Sequence, residues 1–166
     1  MNAFRTARLH AERLLPTHLP DLIRMHTDPL HMATLGGVRD DVWTMAYLER
    51  NLAHWATFGF GLWMLRLEPA GPVMGRGLLR HLDVDGTDEV EIGYSFEPAY
   101  WGRGFATEIA AASLSIGRDR FGFSTMVALT LPTNAASRHV LEKAGLQYDR
   151  DVLHAGLPHV LYRTPQ

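Results

Sequence analysis

Cysteine is absent from all 166 residues, which excludes disulfides, zinc-thiolate sites and a cysteine nucleophile. Charge of one sign is equally scarce. Sixteen Lys and Arg stand against 18 Asp and Glu, and the formal net charge of −2 leaves no basic footprint for nucleic acid. No apolar run reaches bilayer length, and Met1 to Leu15 has no basic-then-apolar layout of a signal peptide. Neither a membrane nor a nucleic-acid partner is expected, and a cytoplasmic location is. Repeats, low-complexity tracts and linkers are missing too. With 46% hydrophobic and 20% charged residues, the composition is ordinary globular, and one domain over residues 1–166 is expected. The nine histidines are scattered without ligand spacing. Asp83, Asp85 and Asp88 lie close together but without the twelve-residue spacing and terminal glutamate of a calcium loop. No metal is assigned.

What is present centres on Tyr100-Trp101-Gly102-Arg103-Gly104-Phe105-Ala106-Thr107-Glu108. Before it, Glu89 to Phe96 alternates, with Val90, Ile92, Tyr94 and Phe96 on one strand face and Glu89 and Glu91 on the other. After it, apolar residues from Phe105 to Ile116 recur at helical spacing. Gly102 and Gly104 allow close backbone approach, the first helical N–H groups have no partner inside the helix, and the dipole is positive there. With the charge of Arg103, the stretch suits a pyrophosphate. A dinucleotide fingerprint fits less well, because no acidic residue ends a strand about 20 residues on.

The rest of the chain falls into short elements. Arg8 to Leu15 reads as an opening strand, and Pro16 to Asp21 begins a helix that Thr27-Asp28-Pro29 ends or bends. Asp40 or Asp41 caps a second helix to about Trp55, with Trp43, Ala46, Tyr47, Arg50 and His54 near one side. These two helices are read as a lid over an acceptor. Phe60–Leu67, Val73–Leu82 and Glu89–Phe96 form an antiparallel meander through two turn-rich connections. Met126–Leu131 is a strand that lies parallel beside Glu89–Phe96, since a helix crosses between them. A helix from Asn134 to Ala144 stops at Gly145, and Leu146–Val152 with His159–Arg163 closes the sheet as a hairpin.

Glu91-Ile92-Gly93-Tyr94, Pro98 to Glu108, Asn134-Ala135-Ala136-Ser137 and Leu141 to Leu146 together resemble the Gcn5-related N-acetyltransferases (GNAT). More narrowly they resemble the branch with the ribosomal-protein N-terminal acetyltransferases of the RimJ/RimL type. Thr6-Ala7-Arg8-Leu9 and Phe58 to Trp63 extend the likeness over nearly the whole chain. The resemblance implies an α/β (α+β) fold. Its mixed, mostly antiparallel sheet would have six to seven strands flanked by about four helices, with a parallel pair splayed at the cofactor site.

The same resemblance implies acetyl-CoA as acyl donor and a primary amine as acceptor, either a small molecule or a protein N-terminus, with a homodimer as a family habit. By residue-for-residue carry-over, the pantetheine arm pairs with the strand ending at Phe96, and Trp101, Gly102, Arg103, Gly104, Phe105, Ala106 and Thr107 take the pyrophosphate. Asn134 and Ser137 reach the cofactor from the following helix. Direct transfer needs a base for an amine that is mostly protonated at neutral pH, and a group to hold the nitrogen about 3 Å from the thioester carbon. Glu91 is the candidate base, and a backbone N–H near Phe96 is the candidate oxyanion donor. Leu141 stands where many members carry a tyrosine acid, which leaves Ser137 as the nearest polar substitute. Trp101 replaces a glutamine or arginine common elsewhere. A non-catalytic module that holds acyl-CoA as a sensor is the alternative reading.

Overall fold

The structure, a computed structural model, describes residues 2–165. Its strands are β1 (Ala3–Arg5), β2 (His10–Arg13), β3 (Leu62–Arg66), β4 (Gly75–Val84), β5 (Thr87–Phe96), β6 (Val127–Thr130), β7 (Gln147–His154) and β8 (Leu157–Arg163). The helices are α1 (Leu19–Thr27), α2 (Pro29–Met32), α3 (Asp41–Phe58), α4 (Phe105–Phe121) and α5 (Ala135–Lys143), with 3-10 turns over Pro16–His18 and Pro98–Tyr100. The eight strands exceed the six to seven expected. Strand β1 is too short to show alternation and exists because it pairs with β2, Ala3 opposite Glu12 and Arg5 opposite His10. The fifth helix, α2, is a single turn that the Asp28 side chain caps by accepting from Leu30 N at 2.9 Å.

Local chemistry sets most boundaries. Asp40 caps α3, its carboxylate accepting from Trp43 N at 2.8 Å, and Gly59 ends that helix at φ +74°. Asn134 caps α5 through Ser137 N at 3.1 Å, and Gly145 follows it at φ +94°. Both are positions where a side-chain oxygen or a left-handed residue satisfies orphan backbone groups.

The strands form one sheet in the order β1-β2-β3-β4-β5-β6-β8-β7. All neighbours are antiparallel except β5 and β6, which pair in parallel at Glu91 and Val127 alone. Beyond that point β5 runs on to Phe96 and β6 to Thr130 unpaired with each other, so the sheet opens into a gap. The main core fills the α4 side of the sheet and the space under α1 and α3, with Leu22, Trp55, Trp63, Met64, Ile92, Phe105 and Ile109 nearly inaccessible. Its packing is tight where α4 crosses β4: a Cβ on Gly77 would stand 2.7 Å from the Ile109 side chain.

Register divides the residues of β4 and β5 between two faces. Arg76, Leu78 and Arg80 oppose Ser95, Gly93 and Glu91, and α1 and α3 cover this face. Gly75, Gly77 and Leu79 oppose Phe96, Tyr94 and Ile92, and α4 covers that one. The face carrying Glu89 and Glu91 is therefore buried as well. Glu89 holds Arg163 by two contacts of 2.7 and 3.0 Å, and Glu91 holds Arg80 at 2.6 Å.

Candidate active site

The turn between β5 and α4 is built mainly from backbone. Gly102 and Gly104 adopt φ +71° and +80°, a region closed to most residues with a Cβ. Gly104 is the residue before α4, and no side chain caps the helix there. The first intrahelical bond runs from Glu108 N to Gly104 O at 3.1 Å. The N–H groups of Phe105, Ala106 and Thr107 precede it and have no carbonyl of their own helix to meet. A Cβ at Gly102 would meet nothing within 4 Å, so the space over the turn is open. Uncapped donors, the positive end of a 17-residue helix and the Arg103 charge fit a pyrophosphate.

Three contacts brace the turn. The Trp101 indole N–H donates to Phe96 O at 2.7 Å, tying the turn to the end of β5. Arg8 donates to Arg103 O at 2.8 Å, and Arg8 also pairs with Glu108 at 2.7 Å. Burial acts to raise the Glu108 carboxyl, but hydrogen bonds from Thr6 and from Arg8 outweigh it and hold it below the usual carboxylate range. The β1–β2 turn, Thr6 to Leu9, is thus a support for the first turn of α4.

Along the gap, the antiparallel ladder decides which backbone groups are free. Glu97 N donates to Met74 O at 2.9 Å on the β4 side, and alternation turns the N–H groups of Ile92, Tyr94 and Phe96 to the opposite side, Ile92 at the Glu91–Val127 bridge and Tyr94 and Phe96 into the gap. Across the gap stands α5. The Tyr94 hydroxyl lies 3.1 Å from Ser137 Oγ and 3.3 Å from Ser137 O. Burial pushes the Tyr94 phenol up to about 12, so it stays protonated at neutral pH. Leu141 is buried in the core at 1% exposure.

On the other face, side chains from distant segments meet. His26 from α1 lies 2.9 Å through Nδ1 from the Thr44 hydroxyl of α3, while its Nε2 lies 2.7 Å from Arg76 Nη1. Because a guanidinium can only donate, Nε2 is the acceptor and Nδ1 carries the proton. Trp43 and Tyr47 stack at 5.4 Å beside His26, and the Arg76 guanidinium lies 4.9 Å over the Tyr47 ring. Burial first, then the charge of Arg76, depress His26 to about 3 and His31 to about 4. Both rings are neutral. His31 lies beside the Phe96 backbone, yet neither of its nitrogens has a hydrogen-bond partner among the described residues.

The sequence model of the acetyltransferase (GNAT) domain family matches residues 8–147. The chain belongs to the GNAT acetyltransferases. Across the family, the chain is 30% identical over 138 residues to the uncharacterized protein YkkB of Bacillus subtilis (strain 168), a match covering 83% of this chain and 80% of that one. The structure is similar to the acetyltransferase of Agrobacterium tumefaciens strain C58, with a TM-score of 0.87, 26% identity and coverage of 100% and 95%. It also resembles RimL, the ribosomal L7/L12 α-N-protein acetyltransferase solved with coenzyme A, at a TM-score of 0.77, 15% identity and coverage of 97% and 96%. At that identity the likeness to RimL is one of fold. The GNAT sheet, mostly antiparallel with one splayed parallel pair, is the architecture observed here.

Within this GNAT enzyme, the fold brings Trp101 to Thr107 together as one turn and ties Phe96 to it. Asn134 and Ser137 stand on the far side of the gap, Ser137 touching Tyr94 and Asn134 capping α5. Glu91 sits apart from these, at the last point where β5 and β6 pair, on the face toward α3. Sequence reasoning missed Arg76, His26, His31 and Tyr94. Arg76 alone left a signal, as a charge at a position whose alternation points inward.

Proposed function

We propose that this enzyme transfers the acetyl group of acetyl-CoA directly to a primary amine, on a small molecule or a protein N-terminus. The observation that carries the reading is the gap between β5 and β6, with its free strand edge leading from the uncapped start of α4. The unpaired stretch Ile92–Phe96 is roughly 13–16 Å long at the usual strand rise. It offers a track from the pyrophosphate turn back toward Glu91. RimL, which shares the fold, is a protein solved with coenzyme A.

Acetyl-CoA supplies the acyl group as a thioester. N–H groups of β5 that turn into the gap donate to ligand carbonyls there and order the arm without side chains. Glu91, paired with Arg80 at 2.6 Å, takes the proton that the amine gives up as its nitrogen bonds to the acetyl carbon, directly or through water. The carbon–sulfur bond breaks, and the thiolate receives a proton from the Tyr94–Ser137 hydroxyl pair. The Tyr94 phenol is protonated at neutral pH and lies 3.1 Å from Ser137 Oγ, so the pair holds a proton to give. These two hydroxyls stand in for the tyrosine that many family members carry where this chain has Leu141.

Melting temperature with acetyl-CoA, with NAD as control and a Gly104→Glu variant alongside, tests the reading. Ligand at about a hundred times its dissociation constant stabilises by about 2.7 kcal/mol, roughly 5–10 °C for a domain of this size. A shift with acetyl-CoA alone, lost in the variant, is expected, together with release of free thiol when an acceptor amine is supplied. No shift, or a shift with NAD, sinks it. Binding without thiol release across a broad amine panel would instead favour a module that holds acyl-CoA without turnover.

A further inference from the structure

The face of the sheet toward α1 and α3 holds more positive charge than it neutralises. Arg76 is 8% exposed, and its contacts are all uncharged: Ser95 Oγ at 3.0 Å, His26 Nε2 at 2.7 Å and the Tyr47 ring at 4.9 Å. No carboxylate pairs with it among the described residues, and Nη2 has no hydrogen-bond partner there. A guanidinium keeps its proton under all physiological conditions, and taking it out of water costs far more than a cation–π contact returns.

The acids nearby are already committed. Glu91 serves Arg80, and both Glu97 and Asp21 serve Arg24. Asp28 caps α2. Arg39 adds a second uncompensated cation, 5.0 Å over Trp43, with its Nε buried and unpartnered. His31, 3% exposed, contributes a neutral ring beside the Phe96 backbone. Arg39, Arg76 and His31 all lie close enough to His26 to act on its charge. The cluster stands beside Ser95 and Phe96, at the end of the strand that borders the gap.

We propose that the acceptor is an amine that also carries a carboxylate, and that Arg76 grips that carboxylate with His31 beside it. The inference rests on the acetyl-transfer reading above and narrows its acceptor. Arg76 supplies a planar fork matched to a carboxylate, and Ser95 and His26 hold that fork in place. Trp43 and Tyr47 form an aromatic wall next to it. A polycationic amine such as spermidine would meet Arg39 and Arg76 without a counter-charge and is excluded by the same field.

The test uses the intact protein with acetyl-CoA and matched acceptor pairs. Phenylalanine, leucine, methionine and glutamate are each offered as the free acid and as the α-carboxamide, with spermidine as a further arm. Thiol release and melting temperature are both read. The free acids are expected to exceed their amides in kcat/KM by about tenfold to a hundredfold, the range for a hydrogen bond to a charged group. Arg76→Gln should erase that preference by lowering kcat/KM for the acids more than for their amides, and Arg76→Lys, which keeps the cation and loses the fork, should fall between.

Equal rates for acids and amides, a preference for spermidine, or an Arg76→Gln loss that is the same for both members of each pair overturns the proposal. Where no pair turns over, the melting shift decides: a larger shift with the acid than with its amide, abolished in Arg76→Gln and reduced in Arg76→Lys, supports it, and equal shifts overturn it. A protein that acetyl-CoA fails to stabilise would strike the acetyl-transfer reading alone, because the acid-against-amide shift is measured without the cofactor as well.

Discussion

On the functions proposed above, the Trp101–Thr107 turn offers an anion backbone, whereas the Arg76–Ser95 face offers it side chains. The turn is assembled from seven consecutive residues, two of them glycines at φ +71° and +80°, and its donors are peptide N–H groups. The opposite face draws on α1, α2, α3, β4 and β5, and its donors are the guanidinium of Arg76 and the imidazole of His31, with His26 holding Arg76 in place. A backbone site tolerates change in side chains and fails when its φ values are forbidden. A side-chain site does the reverse.

The largest expected effect separates the two regions by pH. His26 and His31 are depressed to about 3 and about 4, below the ordinary value near 6.5, by burial and by Arg76. Folding therefore favours the neutral rings: the unfolded chain binds more protons below about pH 6.5, so stability is complete above that pH and lost as pH falls toward 4. Each ring contributes a slope of at most about 1.4 kcal/mol per pH unit in that window. Denaturant unfolding between pH 7 and 4.5 should show the loss, and His31→Gln should flatten it. An equally steep curve in that variant would show that the titrating group lies elsewhere. The Trp101–Thr107 turn holds no histidine and should add nothing to this slope.

Glu91→Gln comes next. It should lower turnover about a hundredfold, the scale of a general base, while the melting shift with acetyl-CoA persists, because the turn is untouched. Unchanged turnover in a folded variant would remove Glu91 from the chemistry. Smaller again is Trp101→Phe, which deletes the donor to Phe96 O and should cost about 0.5–1.5 kcal/mol of acetyl-CoA affinity, up to about tenfold in the dissociation constant. The acceptor KM should stay constant, and a shift in it would mean that the two regions are mechanically joined through Phe96. Of the two turn glycines, Gly102→Ala is expected to have the smaller effect. Its Cβ meets nothing within 4 Å, so the change should cost only the left-handed backbone, about 1–2 kcal/mol in stability. Gly104→Ala should cost more, since its Cβ would also approach Arg8 Nη2 at 3.3 Å.

Much of the fold was legible because short-range chemistry set it. Asp40, Asn134 and Gly145 mark helix ends by capping, Thr27-Asp28-Pro29 marks the end of α1, and the turns at Glu68–Pro72 and Asp83–Asp88 mark hairpins. Alternation in β5 placed Val90, Ile92, Tyr94 and Phe96 on a shared face as expected. The same alternation left the other face open to misreading: Glu89 and Glu91 have the pattern of exposed carboxylates, yet they are 9% and 7% exposed, because Arg163 and Arg80 neutralise them from β8 and β4. Strand β1 was illegible at three residues, and α2 at four, since each is stabilised by its neighbour and not by its own periodicity.

The sequence by itself determined the glycine turn before α4, the strand leading into it and the family, because a glycine turn that opens a helix is a local event written in adjacent residues. Only the tertiary structure decided that Arg76 is buried without a carboxylate, that His31 keeps both ring nitrogens free, and that Tyr94 reaches Ser137. Those facts depend on residues separated by 43 to 50 positions coming within hydrogen-bond distance. No spacing rule connects such residues until the sheet register and the helices above it are in place.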